Sequence, residues 1–157
     1  MEIRYATLAD LPQIRRLEEQ ASTAAHWNSA QYDGIFSADA MSRIALVAVD
    51  KADSSEALGF LIARRIANQW ELENIVVDDR VKKCGIGNAL LRRLLSEAQA
   101  AGAESIILEV RESNDSARRL YESIGFRSEG RRKGYYWEPA EDAILYRRSL
   151  QFCDKIP

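Results

Sequence analysis

Val76-Val77-Asp78-Asp79-Arg80-Val81-Lys82-Lys83-Cys84-Gly85-Ile86-Gly87-Asn88-Ala89-Leu90-Leu91 is the stretch on which the fold turns. Before it, residues 70–77 are rich in β-favouring side chains and read as a strand. After it the period changes: Ile86, Leu90, Leu91, Leu94, Leu95 and Ala98 trace one face of a helix of about 17 residues, with Gly102 placed to cap it. Residues 105–110 form the next β-rich run. Two strands joined through a helix of that length form a parallel pair with a right-handed crossover. In the loop between, Gly85 and Gly87 let the backbone turn tightly, and the first N–H groups of the helix point outward with the positive end of its dipole behind them. Such a nest suits phosphate or pyrophosphate; the alternative is a glycine-shaped turn with solvated lysines. A nucleotide P-loop needs four residues between its glycines followed by Lys-Ser or Lys-Thr, which are absent, and the dinucleotide GxGxxG pattern fails because position 90 is leucine.

Outward from this crossover the rest reads as a mostly antiparallel α/β fold. Ile3 and Tyr5 start a short strand, and Asp10 with Pro12 opens a helix carrying Leu11, Ile14, Leu17 and Ala21 on one face. Residues 29–36 make a short helical segment after a loop around His26 and Trp27. Strands over 43–49, 57–66 and 70–77 have connections short enough for a meander. Beyond the crossover, Asn114 caps a helix with Ala117, Leu120, Tyr121 and Ile124 on one face; Gly125 ends it, and residues 126–137 and 143–150 supply closing strands. The expectation is one domain over residues 1–150, a mixed sheet with one parallel pair and about four flanking helices, and a short tail at 151–157.

Composition excludes several function classes. The 157 residues are 46% hydrophobic and 29% charged, and 22 Lys plus Arg against 24 Asp plus Glu leave a net charge of -2, so no global field favours nucleic acid or an anionic membrane. Cys84 and Cys153 form no CxxC pair and His26 is the only histidine, which argues for free thiols, no metal site and no Ser-His or Cys-His chemistry beyond that one residue. The longest apolar runs, 44–49 and 58–63, are far short of the ~20 residues that span a bilayer, and the N-terminal residues lack a signal-peptide core. A cytoplasmic protein is expected.

The segments Val76-Val77-Asp78, Lys82 to Leu91, Leu108-Glu109-Val110-Arg111-Glu112-Ser113-Asn114 and Leu120-Tyr121-Glu122-Ser123-Ile124-Gly125-Phe126 resemble, in order and spacing, the core motifs of the GNAT superfamily of acetyltransferases. Lys82 and Cys84 depart from the superfamily's usual loop, which affects side-chain contacts to phosphate and leaves the backbone cradle intact. The Leu-Glu-Val-Arg and Leu-Tyr-Glu-Ser-Ile-Gly-Phe runs, with Arg131-Arg132, Tyr135-Tyr136 and Glu141-Asp142-Ala143, are similar to the RimI-type ribosomal-protein-alanine N-acetyltransferases. The resemblance implies a GNAT-like fold, acetyl-CoA as donor, and the N-terminal alanine of a small-subunit ribosomal protein as acceptor. Neither direct nucleic-acid binding nor a membrane partner is implied.

Acetyl transfer to an amine needs a base, a polarised thioester and a proton for the departing thiolate. Glu109 is a carboxylate on a strand where an aliphatic side chain would otherwise stand; by itself that also fits a carboxylate paired with an arginine such as Arg111. The resemblance favours Glu109 as base, with Glu73 on the preceding strand as rival. Tyr121 falls on an apolar stripe and reads as a core tyrosine, whereas the resemblance makes it the acid for the thiolate. By the same carry-over, backbone groups of Ile75, Val76 and Val77 meet the acetyl and pantetheine portions. Lys83, Cys84, Gly85, Ile86, Gly87 and Asn88 hold the pyrophosphate, and Asn114 meets the pantetheine arm besides capping its helix. Trp27, Tyr135, Tyr136 and Trp137 are candidates for the acceptor groove or for core packing. Arg131-Arg132-Lys133 reads as a solvated turn and receives no role. A small amine or a lysine side chain as acceptor, and a noncatalytic acyl-CoA-binding module, remain as other readings.

Overall fold

The computed structural model describes residues 1–21, 27–37 and 42–150. His26, Cys153 and the tail at 151–157 lie outside the described residues. The element order is β1 (Glu2–Tyr5), a 3-10 turn (Leu8–Asp10), α1 (Leu11–Gln20), α2 (Ser29–Gly34), β2 (Arg43–Val49), β3 (Ala57–Ile66), β4 (Gln69–Val77), a 3-10 turn (Asp79–Val81), α3 (Ile86–Ala100), β5 (Ser105–Arg111), α4 (Asp115–Ser123), β6 (Arg127–Tyr136) and β7 (Glu141–Ser149).

The seven strands stand in the order β1-β2-β3-β4-β5-β7-β6. Every neighbouring pair is antiparallel except β4 with β5, joined through α3 as the change of period predicts. Apolar side chains alternate between two cores because successive strand residues face opposite sides of a sheet. Leu46, Leu61, Ala63, Leu72, Leu108 and Val110 pack under α3 and α4, where Ile86, Leu90, Leu91, Leu94 and Tyr121 meet them. Val47, Phe60, Ile62 and Val76 face the other way, under Ile14 and Leu17 of α1 and Tyr32 of α2. Burial on both faces makes β2 and β3 read as continuous apolar runs.

Two details of the sequence reading change. Arg131, Arg132 and Lys133 do not form a turn; they lie within β6, where Arg131 pairs with Ile144 and Arg132 with Ala143 of β7. The helix of the crossover is 15 residues long, and it stops where Gly102, at φ 78°, takes the left-handed conformation that lets the Ala103 N–H reach back to the Ala98 carbonyl (2.9 Å).

Candidate active site

The parallel pairing of β4 with β5 covers only Gln69 with Ser105, Trp70 with Ile106 and Glu71 with Ile107. Beyond it, β4 stays bonded to β3 as far as Val77 and β5 to β7 as far as Arg111, so the sheet opens between two half-sheets. A bulge marks the parting point: Leu72 pairs with Ala63 and Asn74 with Ile62, leaving Glu73 as the extra residue. A bulge bends its strand and increases twist, which turns the second half of β4 away from β5. Residues 75–77 thereby keep backbone groups on their β5 side that no ladder uses.

At the far end of β4 the loop 82–85 leads into α3. Lys83 (φ 63°) and Gly85 (φ 82°) are both left-handed, a conformation that is unfavourable for the lysine and easy for the glycine. No side chain caps α3 at Gly85. The Ala89 N–H is the first to close the helix, onto the Gly85 carbonyl (3.0 Å), so the N–H groups of Ile86, Gly87 and Asn88 make no hydrogen bond within the described residues. These donors suit an anion by direction and dipole. Gly87 has a further duty: a Cβ there would stand 3.0 Å from Leu120 Cδ2 of α4 and 3.7 Å from Val77 Cγ2, so the missing side chain lets α3 pack. Cys84 is a free, exposed thiol. Asp78, buried behind the loop, accepts from the Arg80 backbone N–H (2.9 Å) and from its guanidinium (2.7 Å); Arg80 and then Arg16 hold its carboxyl down at about 2.

On the α1/α2 face of the opening stand the acidic residues. Glu109 sits between Leu108 and Val110, whose side chains enter the α3/α4 core, and so points the other way. Its partner is Arg132 (Nε to Oε1, 3.2 Å) rather than Arg111, which pairs with Glu141 and lies over the Tyr136 ring, 4.3 Å from its centroid. Glu73 is gripped by Arg43 through two hydrogen bonds (2.8 and 3.1 Å), and Arg43 in turn lies over Trp27. Glu71 accepts no hydrogen bond from the described residues, and burial, reinforced by Glu73 and Glu109, holds it above the usual carboxylate range. Burial followed by Glu109 raises the Tyr136 phenol to about 12 and also raises Tyr135. A cavity of about 210 Å³ adjoins this group, lined by Glu71, Ile107, Glu109, Gly130, Leu145 and Arg147 among others. A wider open depression of about 810 Å³ lies beside α1 and the β4–α3 connection; it is lined by ion-paired Arg16, Glu56, Asp78 and Arg80 and includes neither Glu109 nor Tyr121.

Tyr121 occupies the opposite, α3/α4 face, 5% exposed, with its ring against Phe126 and Tyr146. Its hydroxyl makes no hydrogen bond among the described residues, and burial raises its pKa, so the phenol keeps its proton at any working pH. Asn114 caps α4 through Oδ1, which accepts from the Ala117 N–H (3.2 Å). Of the four aromatics considered for the acceptor groove, Trp27 packs against Tyr32 and Tyr136 lies under Arg111, whereas Tyr135 is 46% and Trp137 85% exposed.

The sequence reading missed Arg132 and Glu71 as neighbours of Glu109. Only cross-strand register brings them together, since Arg132 lies two strands away across β7. It also missed Asn74, buried at the bulge with its Nδ2 unpartnered. Residues 127–136 carry no apolar alternation, so only their place between α4 and β7 points to a strand.

Among curated proteins, the [ribosomal protein bS18]-alanine N-acetyltransferase of Haemophilus influenzae is 39% identical over 96 residues, an alignment covering 59% of this chain and 65% of that relative. The protein of the same name from Salmonella typhimurium is 32% identical over 145 residues, 91% of this chain and 93% of the relative. The crystal structure of the ribosomal-protein-S18-alanine N-acetyltransferase from Escherichia coli superposes with a TM-score of 0.83 at 26% identity, covering 99% of this chain and 97% of that one. Arabidopsis thaliana NAA60 in complex with acetyl-CoA shares the fold, with a TM-score of 0.86 at 18% identity over 95% of this chain and 99% of that one. The model of the acetyltransferase (GNAT) family matches residues 8–126, and this chain belongs to that family.

Proposed function

We propose that the protein transfers an acetyl group from acetyl-CoA to the N-terminal α-amine of a protein, with a ribosomal protein beginning with alanine as the acceptor. The observation that carries this reading is the parted pair β4/β5 with Glu109 on one face and Tyr121 on the other. Family membership and the bS18-alanine relatives support the donor and the acceptor class.

Residues 75–77 offer unpaired strand groups to an amide-rich arm, and the N–H groups of Ile86, Gly87 and Asn88 offer donors to its pyrophosphate. Nδ2 of Asn114 remains available to the same arm while Oδ1 caps the helix. Glu109 takes the proton from the arriving ammonium, and the freed amine attacks the thioester carbonyl across the opening. A backbone N–H near Val77 steadies the developing oxyanion. Collapse breaks the C–S bond, and the Tyr121 hydroxyl gives its proton to the leaving thiolate. Glu73, rigidly held by Arg43, serves to shape the face. A noncatalytic binding module has no use for a carboxylate and a proton-bearing phenol on opposite sides of one opening.

The test is intact-mass analysis after incubation with acetyl-CoA. A peptide beginning with Ala is expected to gain one acetyl group at its α-amine, whose reference pKa near 8 against about 10.4 for lysine eases deprotonation. The same peptide blocked at that amine but carrying an internal lysine should react far more slowly. Preference for the lysine, or for a free polyamine over every peptide, would remove the protein N-terminus as acceptor and leave the donor reading standing.

A further inference from the structure

Arg131 and Arg132 are neighbours on β6 and are held in opposite ways. Arg131 is clamped: it donates two hydrogen bonds to Glu112 (2.7 and 2.8 Å) and one to Asp142 (2.9 Å). Arg132 meets Glu109 with Nε 3.2 Å from Oε1, without hydrogen-bond geometry, and its side chain stays 56% exposed against 19% for the carboxylate. Its guanidinium lies over the Tyr135 ring, 5.4 Å from the centroid, which is a broad and shallow hold. The way across β7 is open: Arg132 stands opposite Ala143, and the β6 residue in Glu109's own row, opposite Leu145, is Gly130. Glu71, from the other half-sheet, feels this guanidinium as well as that of Arg64, which stands opposite it on β3, and it accepts no hydrogen bond from the described residues. Arg132 thus stands as a loosely held cation between two carboxylates, one from each side of the opening, and it is the ion-pair partner of Glu109.

We propose that Arg132 is a displaceable latch: in the free protein its guanidinium stands where the acceptor's ammonium must arrive at Glu109, and acceptor binding exchanges one cation for the other. The inference rests on Glu109 as the group that receives the amine. It makes Arg132 a specificity-determining residue. An acceptor that brings a positive charge replaces the guanidinium without stranding Glu109, whereas a blocked, neutral chain end leaves that carboxylate uncompensated and the latch closed. The released guanidinium has solvent to enter and the Tyr135 face to rest on, so little is lost when it swings out.

The test compares wild type with Arg132→Gln, Arg132→Met and Arg132→Lys, using a peptide beginning with Ala and varying peptide and acetyl-CoA separately. Removing the charge should lower the peptide KM roughly twofold to fivefold, the scale of an exposed ion pair, and leave the acetyl-CoA KM alone. Lysine, which keeps a cation on a long stem, should restore a KM close to that of wild type. Methylguanidinium chloride should compete with the peptide in Arg132→Gln and much less in wild type, whose own guanidinium holds the place. A peptide KM that is unchanged or raised in the charge-free variants overturns the latch, as does failure of both to fold, which would make Arg132 a structural brace. Full turnover by Glu109→Gln would instead bring down the base assignment beneath it. If Glu109→Gln is inactive and the peptide KM of Arg132→Gln does not fall, the latch alone is lost.

Discussion

The two faces of the opening between β4 and β5 are built from different materials. On the α3/α4 face the polar groups are backbone N–H donors at the start of α3, a neutral phenol and a capping asparagine, set among fully buried leucines. On the α1/α2 face they are charges: Glu71, Glu73 and Glu109 answered by Arg43 and Arg132. A backbone cradle recognises a ligand whose shape never varies, because no substitution other than to proline removes an N–H. A face made of side chains is open to substitution residue by residue, which is where discrimination between acceptors can be adjusted. On the proposed reading the constant partner meets one face and the selected partner the other.

The sharpest way to break that division is at Glu109. Glu109→Gln keeps the shape and loses the proton acceptor, so kcat should fall by about 10²–10⁴ while acetyl-CoA affinity measured by calorimetry stays put. Glu73→Gln, which loosens one ion pair with Arg43, should lose far less. The reverse ranking would move the base to β4. On the other face, Tyr121→Phe removes a hydroxyl that makes no hydrogen bond among the described residues, so thermal stability should hardly change. Turnover should drop by about 10–100-fold if the phenol protonates the thiolate. A variant with full turnover would make Tyr121 a core residue and nothing more.

Legibility in the sequence follows the same division. The α3/α4 face is encoded locally: the glycine loop, the stripe from Ile86 to Ala98 and the cap at Asn114 are each contained within one short window, and each appears where the pattern places it. The charged face depends on register. Glu109 and Arg132 meet across an intervening strand, and the bulge at Glu73 shifts every later residue of β4 by one position, which no alternation pattern reports. For this reason Arg111 looked the natural partner of Glu109, and Arg132 looked like part of a turn.

In the sequence Gly87 reads as part of a tight turn that suits phosphate, and the structure gives it a packing role as well. Gly87→Val would push its Cβ to 3.0 Å from Leu120 and add two methyl groups beyond it, so a stability loss of about 1–3 kcal/mol is expected together with weaker acetyl-CoA binding. Gly85→Ala separates the two effects. Nothing lies within 4 Å of its Cβ, and the cost is the left-handed backbone at φ 82°, about 1–2 kcal/mol. Chemical denaturation alongside donor titration checks both; equal stability of Gly87→Val and wild type would remove the packing role.

The smallest expected effect tests the charge buried behind the cradle. Asp78 is 4% exposed and its carboxyl is held at about 2, against an ordinary value near 3.8, chiefly by the hydrogen bonds from Arg80. A folded-state pKa below the unfolded one means that the group stabilises the fold above about pH 4, and that this contribution is lost as pH falls towards 2. Because Arg80 is itself largely exposed, screening limits the contribution to about 1–2 kcal/mol. Asp78→Asn can still accept the Arg80 backbone N–H through Oδ1, so it removes the ion pair and keeps the turn. Denaturant titrations should show the variant less stable than wild type at pH 7, with the gap closing below pH 4 as the wild-type carboxyl takes up its proton and comes to resemble the amide. A gap that persists unchanged into acid would mean that Asp78 holds the β4–α3 connection by shape and hydrogen bonding alone, and that the cradle's support owes nothing to its charge.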